Sequence, residues 1–197
     1  MKPAGGWRFS IRPCEYMSVR YITGVMNAMQ IFRSPVALFL LVAVICTTGS
    51  EARAEFLDKF QDWEAHARTD GGSKVCYAAT VPTKSEGNYT RRGDVFLLVS
   101  HRPADKMTGI VSLEAGYTYS KDGKITARIG GASFPMFADG ELAFAYEDRP
   151  LVEAMIRGVD MVVKGTSNRG TLTTDTFSLS GFTAAYKAAS KACGVDG

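Results

Sequence analysis

The sequence predicts a mainly β protein: an antiparallel β-sandwich or open barrel with a short helix and a C-terminal helix packed on it. Three observations predict it. Apolar and polar residues alternate with a period of two in several short segments. Turn residues, mostly Gly, Asp and Pro, separate those segments. A continuous apolar stripe of helical period appears only near the end of the chain. Strands do not alternate with long helices, which argues against a parallel α/β sheet.

The elements follow in chain order. Trp63, Ala65 and Ala67 alternate with Glu64, His66 and Arg68, the pattern of a half-buried strand. Asp70-Gly71-Gly72 turns the chain, and Lys74 to Val81 returns as the second arm of a hairpin. Lys84 to Asp94 is polar and basic and reads as a long exposed loop. Val95 to Val99 is apolar on both faces, as a central strand is. Val111 to Tyr119 carries the cleanest alternation, with Val111, Leu113, Ala115, Tyr117 and Tyr119 on one side. Lys121-Asp122-Gly123 is a turn. Ile125, Ala127 and Ile129 then face inward, Gly130-Gly131 breaks the strand, and Phe134 to Phe137 can pair again. Leu142, Phe144 and Tyr146 alternate once more. Pro150 opens a short helix with Leu151, Met155 and Ile156 on one face, ended by Gly158. Met161 to Lys164 and Leu172 to Leu179 are strands around a Ser167–Gly170 turn. Ser180 is placed to N-cap the last helix, Gly181 to Ala192. The expected count is eight or nine strands and two helices.

Residues 1–54 read as a segment apart. Val36 to Cys46 is an unbroken apolar run of 11 residues. A bilayer core needs about 20. The run has the length of a signal-peptide core, with Arg33 before it and the small residues Ala52 and Ala54 at the cleavage positions. This predicts a secretory signal cut after Ala54, a periplasmic or secreted product, and one domain over 55–197. Met26 and Met29 lie nearer the apolar run than Met1 does, so the first stretch reads as a mis-called N-terminal extension.

Composition narrows the function. The chain has 197 residues and 46% hydrophobic content, too apolar for disorder. Its formal charge of +3 is uneven: residues 1–54 hold six of 23 Lys/Arg and two of 20 Asp/Glu. The remainder, with 17 basic and 18 acidic residues, lacks the concentrated basic face that nucleic-acid binding needs.

Four cysteines are present, and Cys14 and Cys46 fall in the segment expected to be removed. The remaining pair, Cys76 and Cys193, suggests one disulfide in an oxidising compartment; the alternative is two separate buried thiols. Phe182, Ala185, Tyr186, Ala189 and Cys193 share one helix face, which turns Cys193 toward the core and favours the bridge. Neither cysteine sits in a C-x-x-C pair, so a catalytic thiol is disfavoured.

The order of segments resembles the invasion-associated locus B (IalB) family. Phe60-Gln61-Asp62-Trp63 is similar to that family's opening aromatic-Asp-Trp strand, and Lys74-Val75-Cys76-Tyr77 to its following cysteine strand. Val162 to Thr176 leads into Ser178-Leu179-Ser180-Gly181-Phe182-Thr183-Ala184-Ala185-Tyr186, similar to the family's "S-L-x-G-F-x-x-A" helix start. The likeness spans roughly Phe60 to Cys193. The chain departs from the pattern in lacking a cysteine that many members carry on the strand after the Trp. The resemblance implies an exported α-proteobacterial cell-envelope protein, in some members a virulence factor linked to host-cell entry, with no agreed catalytic activity.

Motifs for chemistry are sparse. The two histidines, His66 and His101, lie in no metal-ligand spacing, so neither a metal nor a cofactor is expected. No G-x-S-x-G elbow or S-x-x-K pair is present, and His101 follows Ser100 on a strand, where neighbours point to opposite faces. Gly165 to Gly170 has phosphate-loop spacing but Thr171 where the lysine belongs. Asp139 with Glu141, and Glu147 with Asp148, are read as loop-solvating carboxylates, the second pair suited to a helix N-terminus. The protein is therefore read as a non-enzyme. Lys84, Tyr89, Arg91 and Arg92 form a small basic-aromatic cluster expected to act as an interaction loop for an unidentified protein or envelope component. Membrane contact is expected only through the signal peptide or peripherally. The alternatives are a structural envelope-stress protein without a ligand, or an uncharacterised hydrolase.

Overall fold

The computed structural model describes residues 54–197. The signal segment with Ala52, the alternative starts Met26 and Met29, and Cys14 and Cys46 lie outside the described residues; Ala54 is the first within them and is exposed.

The chain opens with a hairpin. Strand β1 (Glu55–Phe60) pairs antiparallel with β2 (Trp63–Asp70), turning at Gln61, whose φ is 52°. The two arms differ in burial. β1 is largely exposed and is an edge strand, whereas Trp63, Ala65 and Ala67 of β2 point inward, as their alternation requires. The Asp70–Ser73 turn leads to β3 (Ser73–Thr80). The chain then reaches β4 (Lys84–Gly87), β5 (Phe96–Arg102) and β6 (Met107–Glu114). β7 (Ile125–Ile129), β8 (Ala132–Asp139) and β9 (Leu142–Ala145) follow as a meander. Helix α1 (Asp148–Arg157) precedes β10 (Asp160–Thr166), β11 (Leu172–Ser178) and helix α2 (Phe182–Cys193).

Among the described residues the strands form one antiparallel sheet of 11, ordered β1-β2-β3-β5-β6-β9-β8-β7-β10-β11-β4. The sheet curls until its ends meet. The Trp63 indole N–H on β2 donates to the Ser178 carbonyl at the end of β11, at 2.9 Å. The chain leaving β3 crosses directly to the far edge, where Thr83 N–H donates to Thr176 O on β11. The inward residues of nearly every strand therefore share one core, including Leu97, Val99, Val111, Leu113, Ile125, Met161, Val163 and Phe177. The result is the predicted open barrel.

Both helices bury one stripe. α1 buries Leu151, Val152 and Met155. α2 lies over β1, β2, β3 and β5 and buries Phe182, Ala185, Tyr186 and Ala189, with Phe182 4.8 Å from the Trp63 ring. Cys193 at its end is bonded to Cys76 of β3, with the two Cα atoms 5.8 Å apart.

Several sequence expectations shift. Lys84 to Asp94 is not one open loop: Lys84–Gly87 is an edge strand on β11. The Val111–Tyr119 strand starts earlier, at Met107, and ends at Glu114. Gly116, at φ 68°, breaks it, because a Cβ there would meet the Gly93 carbonyl oxygen at 2.4 Å. On β9 the inward residues are Ala143 and Ala145, so Leu142, Phe144 and Tyr146 face out. Ile156 is exposed, and Val152 takes its expected place on the inner face of α1. Ser180 does not cap α2. The cap is Gly181, at φ 90°, while the Ser180 hydroxyl donates to the Gln61 side-chain carbonyl. A Cβ at Gly181 would lie 1.9 Å from the Phe60 carbonyl oxygen, so only glycine lets the helix start pack on the first hairpin.

Candidate functional site

The basic-aromatic cluster is the best-defined polar site, and the structure divides its four residues. Arg92 is drawn inside: its side chain keeps 5% of its exposure. Its two terminal nitrogens donate to the two Asp175 carboxylate oxygens, each at 2.7 Å, and its Nε donates to the Ala115 carbonyl at 2.6 Å. The guanidinium also lies over the Tyr117 ring at 4.9 Å and the Tyr89 ring at 5.6 Å. The expectation that Arg92 belongs to an exposed contact patch is thereby corrected. A guanidinium is withdrawn from water only when its donors are satisfied, and Asp175, 83 positions away, satisfies them. Burial works against the Arg92 charge, but hydrogen bonding and charge from Asp175 outweigh it and hold its pKa above the ordinary arginine value.

A tyrosine layer surrounds this pair. Tyr117 shares a 2.7 Å hydrogen bond with the Thr173 hydroxyl and packs edge-on against Tyr119, ring centres 5.0 Å apart. Burial raises the pKa of both phenols, so both are neutral. Gly93 N–H donates to Gly116 O at 2.9 Å, closing the segment onto the end of β6. Residues 88–94 are therefore fixed at their base. Tyr89 is partly exposed, Arg91 is exposed, and Lys84 pairs with Glu86 on the edge strand at 2.8 Å.

The second polar site lies beneath α2. His101 is fully buried, and its Nε2 is 3.1 Å from the Ser190 hydroxyl. Sequence reasoning set Ser100 on the opposite face from His101 and missed Ser190, because the contact joins a strand to a helix 89 positions on. The hydrogen bonds decide what the pair can do. Gly109 N–H donates to His101 Nδ1 at 3.2 Å, so that nitrogen carries the lone pair and the neutral ring holds its proton on Nε2. Nε2–H then donates to Ser190, whose hydroxyl donates to the Tyr186 carbonyl at 2.8 Å. A nucleophilic serine needs the reverse, an imidazole lone pair facing its hydroxyl. The pair locks α2 to β5 instead. Burial lowers the His101 pKa, consistent with a neutral ring.

His66 lies on the outer face, stacked on Tyr77 at 5.2 Å and 3.3 Å from Glu64. Among the described residues no three His, Cys, Asp or Glu side chains gather as metal ligands. Gly165 to Gly170 runs from the end of β10 into the β10–β11 turn, with Ser167 Oγ accepting from Arg169 and Thr171 N–H. Asp139 and Glu141 flank the β8–β9 turn and are exposed. Asp148 is less solvated than expected: it accepts from Val111 N–H at 2.8 Å, and burial raises its pKa against the pull of that bond.

The family model described as "Invasion associated locus B (IalB) protein" matches residues 63–190. Among solved structures, that of invasion associated protein B from Bartonella henselae is similar at 17% identity. The match covers 66% of this chain and 92% of that one, with a TM-score of 0.46. No curated protein matches.

Proposed function

The chain belongs to the invasion associated locus B family, and we propose that it acts outside the cytosol, in the periplasm or after secretion, as a non-catalytic binding or host-interaction factor. On this reading residues 1–54 are removed and 55–197 carry the activity. Export is supported by the signal-like segment and by the Cys76–Cys193 bridge, since such bonds persist in oxidising compartments. The observation that carries the binding role is the anchored 88–94 segment. Arg92 and the Gly93–Gly116 bond hold its base, so Tyr89 and Arg91 are displayed on a rigid support rather than a floppy one. A pre-ordered loop binds with less entropy to lose. The partner is an anionic protein or envelope component that accepts one guanidinium and one phenol.

The test is substitution at the displayed residues. Arg91→Ala should weaken retention of the purified protein on isolated envelope or host-cell surface material with the thermal midpoint unchanged, and Tyr89→Ala should weaken it with a lower midpoint, because the Tyr89 ring packs on Arg92. Equal retention of wild type and both variants would remove the loop from the binding role.

A further inference from the structure

The outer face of β5, β6, β9 and β8 is apolar where the strand pattern calls for polar residues. Pairing register sets the layout. Leu98, Ser112, Phe144 and Phe137 lie in one row across the four strands. Ser100 and Ile110 start the next row, with Tyr146 and Pro135 on its far side, joined by the Tyr146 N–H to Pro135 carbonyl bond. Phe137 is in ring contact with Phe144 and Tyr146, at 5.7 and 5.1 Å. These side chains are not core: Phe137 is 41% exposed, Leu142 37% and Tyr146 65%. Outward positions on neighbouring β7, β10 and β11 are more polar, including Thr126, Arg128, Lys164, Thr174 and Thr176.

Charge gives this face a direction along the strands. At one end Glu114 pairs with Leu142, which pairs on its other side with Asp139. At the opposite end lie Arg102 on β5, which also meets Asp70 of its own chain at 3.6 Å, and Arg128 on β7, paired with Ser133 of β8. A face acidic at one end, basic at the other and apolar between is complementary to itself when a second copy is turned end for end. We infer that this face is a two-fold interface between two copies of the chain, the axis lying in the interface and running across the strands.

That operation preserves the strand order and reverses the ends. Asp139 on β8 is carried over Ser133 and Arg128 of the second copy, and Glu114 on β6 over Arg102. The other in-plane axis, along the strands, sets carboxylate against carboxylate and is disfavoured. The acidic end likewise argues against an anionic lipid surface as the occupant. Four strands about 4.8 Å apart and two rows about 7 Å apart give an apolar centre of roughly 270 Å² per copy. A stable interface takes about 800 Å² per copy, so the apolar patch is the centre of a concentration-dependent dimer and not of a permanent one.

Sedimentation equilibrium over a wide concentration range, on protein expressed from the full-length gene, tests this. A monomer–dimer equilibrium is expected. Phe137→Ser combined with Tyr146→Ser should raise the dissociation constant at least about tenfold, because each change enters a two-fold interface twice. Asp139→Arg should weaken the dimer, as should Arg128→Asp, and combining the two should restore it. Circular dichroism establishes that each variant folds. If the aromatic pair fails to fold, the charge set decides alone, since both positions are exposed. A monomer at every concentration, an open-ended assembly, a dimer indifferent to the folded variants, or no recovery in the charge exchange overturns the inference.

Discussion

Arg92 and Asp175 form a two-pronged ion pair inside the barrel wall, both prongs 2.7 Å long, with 5% and 2% of their side chains exposed. The pair ties the segment before β5 to β11 and fixes one flank of the displayed loop.

Removing either member strands the other in a dry site. Arg92→Met should destabilise the protein by about 3–5 kcal/mol, and Asp175→Leu by a similar amount, whereas the double substitution should recover much of the loss. Urea denaturation of the four proteins at neutral pH measures this. Arg91→Ala, one position away and exposed, should leave the denaturation midpoint unchanged. Simple additivity of the two buried substitutions would show that the pair does not act as a unit.

The Cys76–Cys193 bond closes a separation of 117 residues. Chain entropy gives an upper figure of roughly 4–5 kcal/mol for a loop of that size. Cys76→Ser with Cys193→Ser should therefore lower stability by up to that amount, and the end of α2 should exchange amide protons faster. Intact mass of the protein recovered from cells should rise by two hydrogen atoms on reduction and, on the export proposed above, should place its first residue at Glu55. Free thiols in the unreduced protein would contradict the bridge.

His101 predicts acid sensitivity. Its folded pKa lies below the ordinary value of 6.5 because burial disfavours the cation. Below that pH the unfolded chain takes up a proton that the folded chain refuses. Stability is therefore full above about pH 6.5 and falls as pH drops toward the folded pKa, by at most about 1.4 kcal/mol per pH unit. Protonation of Nδ1 would also break the Gly109 bond. His101→Gln should lower stability at pH 7 but flatten its dependence between pH 6.5 and 5, read from denaturation midpoints across that range. A wild-type profile already flat there would contradict the neutral buried ring.

Gly181→Ala tests how the last helix meets the first hairpin. The new methyl group would collide with the Phe60 carbonyl oxygen, and the left-handed backbone is itself strained for alanine. A loss of more than about 2 kcal/mol is expected, against about 1 kcal/mol for Gly130→Ala, which has the left-handed strain but no atom near. Comparable thermal midpoints for the two variants would deny the close approach.

Much of the fold was legible because it rests on local periodicity. The alternation of Trp63, Ala65 and Ala67, the Ile125–Ile129 strand and the apolar face of α2 each state their inward side within a few residues. The alternation of Leu142, Phe144 and Tyr146 marked β9 without stating its inner face, and the interior takes the smaller pair, Ala143 and Ala145. Both missed strands are edges: β4 is wholly polar and exposed, and in β1 the apolar residues Phe56, Leu57 and Phe60 follow no alternation of period two. Lys84 and Arg92 were grouped by nearness in sequence, although one ends on an edge strand beside Glu86 and the other inside with Asp175.

What the sequence determined by itself is the β class, the closing helix with its core-facing cysteine, and the family, since these depend on short-range pattern and residue order. The partners of the buried polar groups were decided only by the tertiary structure. Arg92 meets Asp175, His101 meets Ser190, and Gly181 meets Phe60 across 83, 89 and more than a hundred positions. Such pairings arise because the sheet curls its two ends together and α2 docks back across β5, and no local propensity encodes which distant donor a buried acceptor will find.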